Sequence, residues 1–201
     1  MSTETIVDLI RHGEPVGGRR YRGNAIDDPL TEKGWSQMWR AVGENRPWQQ
    51  IVTSPLQRCH AFATALGEKD GTPVAIESRF KEVGFGVWEG LSHDEIKIDR
   101  ADEYRAFLND PVNQRPQGAE VLSEFIHRVN AAYQETLTRF QGQHCLIVTH
   151  AGVIRAIVAS TVHAEPVGLY RIKISNGGIT RIRHNGSQGI LEFLNGILSV
   201  A

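Results

Sequence analysis

The chain has 201 residues, 40% of them hydrophobic, enough to bury one substantial core. Its formal net charge is -1, so no global field draws it to a nucleic-acid backbone or an anionic membrane, and any anion it binds must be held by a local cluster. Its two cysteines, Cys59 and Cys145, are too few for a disulfide framework and fit a reducing compartment.

The N-terminal stretch "MSTETIVDLIRHG" has neither a basic segment nor the long apolar core of a signal peptide, and no apolar run in the chain reaches membrane length. The expected setting is cytoplasmic. From Thr5 to Ile10 the chain is dense in Ile, Val and Leu, interrupted only by Asp8, which predicts a buried strand ending on Arg11 and His12. A glycine- and arginine-rich loop follows from Gly13 to Gly23. Asp27 and Asp28 before Pro29 read as turn residues. Thr31 is a plausible N-cap for a helix whose Trp35, Met38, Trp39 and Val42 share one core-facing side.

At "QQIVTSPLQRC" a short strand around Ile51 and Val52 runs into a helix start, with Ser54 expected as N-cap and Pro55 at the first helical position. That places Arg58 in the first helical turn. Residues 90–118 form a polar stretch with short helical pieces, expected as an insertion or cap within a single domain spanning residues 1–201. A long amphipathic helix is expected between Glu120 and Phe140. Cys145 to Val148 predict another buried strand, with His150 at its junction to a helix over Gly152–Ala159. "LYRIKIS" and "GITRIRH" alternate around Asn176-Gly177-Gly178 and predict an antiparallel hairpin, and "GILEFLNGILSVA" predicts a strand plus tail.

This alternation predicts an α/β fold, a three-layer α/β/α sandwich around a mostly parallel sheet with some antiparallel strand. In such sheets ligands bind beyond the carboxyl ends of the strands. If the strands are parallel, Arg11, His12, Arg58 and His150 meet at one rim, beside helix N-termini. Guanidinium forks and helix-start amides there suit a dianionic phosphoryl group. A histidine with one free ring nitrogen can attack phosphorus, and His12 is the candidate; Glu82 or Glu89 could supply the leaving group's proton. Metal is the rival reading of two histidines, but zinc spacing is absent and two arginines would repel a cation. No metal and no cofactor is expected.

The motifs "LIRHGE", "TSPLQRC", "KEVGFGVWEG" and "VTHAGVIRA", in this order, resemble the histidine phosphatase superfamily, the branch that includes phosphoglycerate mutases and small-molecule phosphatases. The resemblance runs from Leu9 to about Ile182 and implies the phosphoglycerate mutase-like fold. It implies that His12 is the nucleophile, that Arg11, Arg58 and His150 form the phosphate pocket, and that Glu82 is the proton donor, leaving Glu89 structural. Gly13, Arg22 and Ala151 complete the expected phosphate- and substrate-binding set. Within that branch the chain is similar to α-ribazole phosphatases of cobalamin biosynthesis, through "DDPLTEKGWSQM", "FGVWEG" and "QGAEVLSEFIHRV". It departs from the family pattern at Gly18, where many relatives carry asparagine, and at Gly118-Ala119-Glu120, where they carry G-E-S.

The resemblance implies a metal-independent phosphomonoesterase for a small-molecule phosphate ester, with α-ribazole 5'-phosphate as the named candidate. A broad-specificity sugar-phosphate or phosphoprotein phosphatase, a phosphoglycerate mutase and a catalytically inactive phospho-ligand-binding module are the alternatives. Residues 90–118 lack the Lys followed by Arg-Arg of mutases, and retention of both His12 and Glu82 argues against an inactive module. Neither nucleic acid nor membrane is an expected partner, and the assembly is expected to be a monomer or homodimer. Arg155 is expected in a surface salt bridge, and His60, His93, His127, His144, His163 and His184 as surface or satisfied core residues.

Overall fold

The computed structural model describes residues 4–44, 46–186 and 188–198. The expected C-terminal tail at residues 199–201, and residues 1–3 of the N-terminal stretch, lie outside them. In chain order the regular elements are β1 (Thr5–Arg11), α1 (Glu32–Val42), β2 (Gln50–Thr53), α2 (Gln57–Asp70), β3 (Val74–Ile76), α3 (His93–Asp99), α4 (Ala101–Asn109), α5 (Leu122–Arg139), β4 (His144–Thr149), α6 (Ala151–Thr161), β5 (Ile179–Asn185) and β6 (Gln188–Gly196). The strands form one six-stranded sheet in the order β3-β2-β4-β1-β5-β6. β1 to β4 pair in parallel, while β5 runs antiparallel to both of its neighbours.

Alternation along the buried strands builds the layers, because successive side chains leave opposite faces. Val7 and Leu9 of β1, Val52 of β2 and Cys145 and Ile147 of β4 share one core with α5 and α6. Ile10, Ile51, Leu146 and Val148 point the other way and pack with α1 and α2. The fold is the expected three-layer α/β/α sandwich with a mostly parallel sheet. Among the described residues no helix is long and apolar enough to cross a membrane.

Local chemistry sets the element ends. Thr31 caps α1 by accepting the Gly34 amide at 2.9 Å, and Met38 and Val42 are buried while Trp35 and Trp39 are half-buried against the same core. Asp8, which interrupts the apolar run of β1, is fully buried. It accepts two hydrogen bonds from Arg181 at 2.7 and 2.9 Å, one from Trp48 at 2.8 Å, and pairs with His144 at 2.9 Å.

Two expectations change. "LYRIKIS" is not a strand: Pro166–Arg171 is a 3-10 helix, and the residues after it are irregular. Its carbonyls are already taken, Ile172 by Arg155 at 2.8 Å and Ile174 by Arg11 at 2.7 Å, so they are not available to a sheet ladder. "GITRIRH" pairs instead with β1 and β6. Ser54 is not the N-cap of α2, which begins at Gln57. Its hydroxyl accepts the Leu56 amide at 3.3 Å and pairs with His150 at 2.8 Å, while the Asp27 carboxylate takes the Gln57 amide at 2.6 Å.

Candidate active site

β4 lies between β2 and β1, so the carboxyl ends of all three strands open on the same edge. Arg11 is the last residue of β1, and the His12 amide extends the parallel ladder by donating to the Thr149 carbonyl at 2.9 Å. Arg58 is the second residue of α2, and His150 is the residue on which α6 starts. The structure therefore gathers Arg11, His12, Arg58 and His150 at one rim, with Glu82 entering from the loop before the "GFGVWEG" segment. A pocket of about 960 Å³ opens there, and Arg11, His12, Arg22, Arg58, Glu82 and Ala151 line it.

The His12 ring is held by its own backbone. Its Nδ1 lies 2.8 Å from the Gly13 carbonyl oxygen, and a carbonyl only accepts, so Nδ1 carries the proton and Nε2 keeps its lone pair. Burial, with the Arg11 and Arg58 guanidinium groups close by, pushes the imidazole well below its ordinary value of 6.5. His12 is consequently neutral near pH 7. Gly13 lies off the pocket wall, and no larger residue fits there: a Cβ would stand 2.0 Å from the Gly34 carbonyl oxygen.

His150 is fully buried and also off the wall, its ring centroid 5.3 Å from that of His12. Its Nε2 meets the Ser54 hydroxyl, and the Cys59 sulfur is 3.6 Å away. Burial first, then Arg58, lowers its affinity for a proton. Burial likewise drives the Cys59 thiol upward, so it stays protonated.

The two arginines keep donors in reserve. Arg58 is buried and anchors the loop by donating to the Ile26 carbonyl at 2.8 Å and the Gly23 carbonyl at 3.0 Å. Arg11 donates to Ile174, and burial brings its guanidinium down to about 10, still charged near neutrality. The Nε atoms of both are buried with no hydrogen-bond partner among the described residues. Buried unpaired donors on a cation are costly, and an anion in the pocket would relieve that cost.

Glu82 is positioned by the start of α6. Its Oε1 accepts the Val83 amide at 3.0 Å and the Gly152 amide at 3.1 Å. Glu89 faces elsewhere, accepting the Phe85 and Ala25 amides at 2.9 and 3.0 Å and tying the arginine-rich loop to the "GFGVWEG" turn. Arg22 spends its donors on that loop, pairing with Asp28 at 2.8 Å and donating to the Val16 and Gly18 carbonyls at 2.6 and 2.8 Å. Asp27 and Asp28 thus do more than turn the chain: one caps α2 and the other braces Arg22.

The outer wall was not visible in the motifs. Tyr21, His93, Tyr104, Phe107 and Tyr170 form an aromatic side, and Arg19, Arg155, Lys173 and Asn176 a polar one. Arg155 is not in a surface salt bridge; it is half-buried and its Nε donates to Ile172. Its position four residues after Ala151, one turn along the same helical face, was the available signal. His93 also lines the pocket, its ring 4.4 Å from that of Tyr21. His144 and His184 are satisfied core residues, on Asp8 and on the Tyr133 hydroxyl at 2.8 Å, while His127 and His163 are exposed. Among the described residues no group of three or more His, Cys, Asp or Glu is arranged to hold a metal ion.

An arginine-lined rim with a neutral buried histidine, on the carboxyl edge of a parallel sheet, defines a protein that handles phosphoryl groups. The chain belongs to the histidine phosphatase superfamily (branch 1), whose family description matches residues 7–196. It is 28% identical over 191 residues to "Putative phosphoserine phosphatase 2" of Hydrogenobacter thermophilus, covering 93% of each chain. It is 30% identical over 187 residues to "Probable phosphoglycerate mutase GpmB" of Salmonella choleraesuis, covering 90% of this chain and 86% of that one. The solved α-ribazole phosphatase from Shigella flexneri superposes with a TM-score of 0.84 at 26% identity, over 98% of both chains.

Proposed function

We propose that this protein is a phosphomonoesterase that hydrolyses a small-molecule phosphate ester through a phosphohistidine intermediate on His12. The observation that carries this reading is the 2.8 Å contact between His12 Nδ1 and the Gly13 carbonyl, which leaves Nε2 unprotonated beside two guanidinium groups. Nε2 attacks phosphorus, the ester P–O bond breaks, and Glu82 protonates the leaving oxygen. Water then attacks the phosphohistidine while the Glu82 carboxylate takes its proton, releasing inorganic phosphate and free His12. Arg11 and Arg58 stabilise the equatorial oxygens as charge redistributes. His150 supports the floor of the pocket and holds Ser54, while the Ala151 end of α6 adds positive dipole.

Hydrolysis is favoured over transfer because residues 90–118 lack the basic triplet of mutases. The aromatic wall suits an organic leaving group. α-Ribazole 5'-phosphate is the ester suggested by the sequence motifs and by the Shigella flexneri likeness. Product analysis decides between the activities: incubation with 3-phosphoglycerate, p-nitrophenyl phosphate and α-ribazole 5'-phosphate should release inorganic phosphate. Conversion of 3-phosphoglycerate to its 2-isomer without phosphate release would replace the phosphatase reading with a mutase one.

A further inference from the structure

We propose that the substrate carries a second anionic group, a carboxylate, on its leaving-group side, and that Arg155 and Lys173 hold it. This rests on the phosphatase reading and narrows its substrate class. The cations and carboxylates around the pocket do not pair off. Arg22 is committed to Asp28 at 2.8 Å, a carboxylate that Arg20 only shares at 3.6 Å, and Glu14 to Lys33 at 2.7 Å. Arg11 and Arg58 face the phosphoryl site, with Asp27 3.9 Å from Arg58 and Glu82 held by backbone amides beside them.

Besides the exposed Arg19, which has no ion pair among the described residues, two cations on the Tyr170 side of the pocket remain unmatched. Arg155 is fixed by its Nε bond to the Ile172 carbonyl and lies over the Tyr170 ring at 5.7 Å. No carboxylate pairs with it, and no hydrogen bond uses its two terminal nitrogens, among the described residues. Lys173 follows Ile172 directly, lines the same pocket, and has no ion pair there either. A half-buried guanidinium with its planar fork unspent is built for a bidentate carboxylate, with an exposed ammonium alongside as a point charge. A second positive pair beside Arg11 is also repulsive unless an anion sits between them. An ester lacking a second anion, such as α-ribazole 5'-phosphate, leaves this pair unused.

The test compares 3-phosphoglycerate with glycerol 3-phosphate, which differ only in carboxylate against hydroxymethyl, with p-nitrophenyl phosphate as a third ester. Wild-type protein should favour 3-phosphoglycerate by about tenfold or more in kcat/KM for phosphate release, the scale of one charge-assisted contact. In Arg155→Gln that preference should fall to near parity, and Arg155→Lys should restore part of it, with melting curves showing each variant folded. Parity in the wild type, or an undiminished preference in Arg155→Gln, overturns the second-anion site while p-nitrophenyl phosphate turnover leaves the phosphatase reading standing. No phosphate release from any of the three esters overturns both.

Discussion

Glu82 and Gly152 fit so closely that Glu82 Oε1 accepts the Gly152 amide at 3.1 Å, and a Cβ added at Gly152 would stand 2.2 Å from the same oxygen. The glycine is therefore what lets the carboxylate sit against the first turn of α6. Gly152→Ala should push that carboxylate aside while the rest of the helix, whose backbone tolerates alanine, stays in place. A displacement of this size at the proposed proton donor should cost about a hundredfold in rate. Steady-state kinetics should show kcat reduced with a near-normal melting temperature; unchanged kcat would mean Glu82 takes no part in the chemistry.

Arg58 anchors the loop and, in the proposed mechanism, holds the anion. Arg58→Ala removes its donors to Gly23 and Ile26 and the buried Nε, which has no partner among the described residues. Loss of one such transition-state contact is worth about 3 kcal/mol, or about a hundredfold in kcat/KM. Inorganic phosphate should raise the melting temperature of the wild type and fail to do so in this variant. An equal shift in both would remove Arg58 from the anion site.

His12 and His150 refuse protons in the folded chain that they accept when unfolded, since burial and the neighbouring arginines hold both well below 6.5. The unfolded state then binds more protons as pH falls below 6.5, so stability rises with pH and is lost on acidification. Each group contributes a slope of about 1.4 kcal/mol per pH unit in that window. Urea unfolding in phosphate-free buffer should show the steep slope, and His12→Asn should remove about one proton's worth. For the same reason kcat should show no His12 limb centred near 6.5.

Asp8 tests structure apart from chemistry. It is fully buried and satisfied by Arg181, His144 and Trp48, so Asp8→Asn leaves Arg181 without its counter-charge and costs about 3 kcal/mol of stability. Calorimetry should register that loss. Turnover of p-nitrophenyl phosphate below the melting range should stay within about twofold, as expected of a site away from the chemistry.

The strand ends were legible because apolar runs stop abruptly on Arg11-His12 and His150, and a parallel sheet brings such ends to one edge. Asp8 looked like an interruption because its partners lie far along the chain, at Trp48 and Arg181. The outer wall was hidden for a related reason: Tyr21, Tyr104 and Tyr170 come from three segments far apart in the chain, and no local pattern brings them to one pocket. "LYRIKIS" alternates like a strand, yet Pro166 favours a helical start just before it, and Arg11 and Arg155 claim its carbonyls. Ser54 looked like a cap, and its hydroxyl went to His150, a partner no local motif could reveal.

The proposed mechanism turns on covalent capture of phosphate by His12. Its most direct test is an alkaline quench during turnover of a radiolabelled phosphate ester, followed by peptide mapping, since phosphohistidine survives base. The label should appear on the peptide containing His12, and should vanish in a folded His12→Ala protein that no longer releases phosphate. Label on another residue, or near-normal phosphate release by His12→Ala, would remove His12 as the nucleophile.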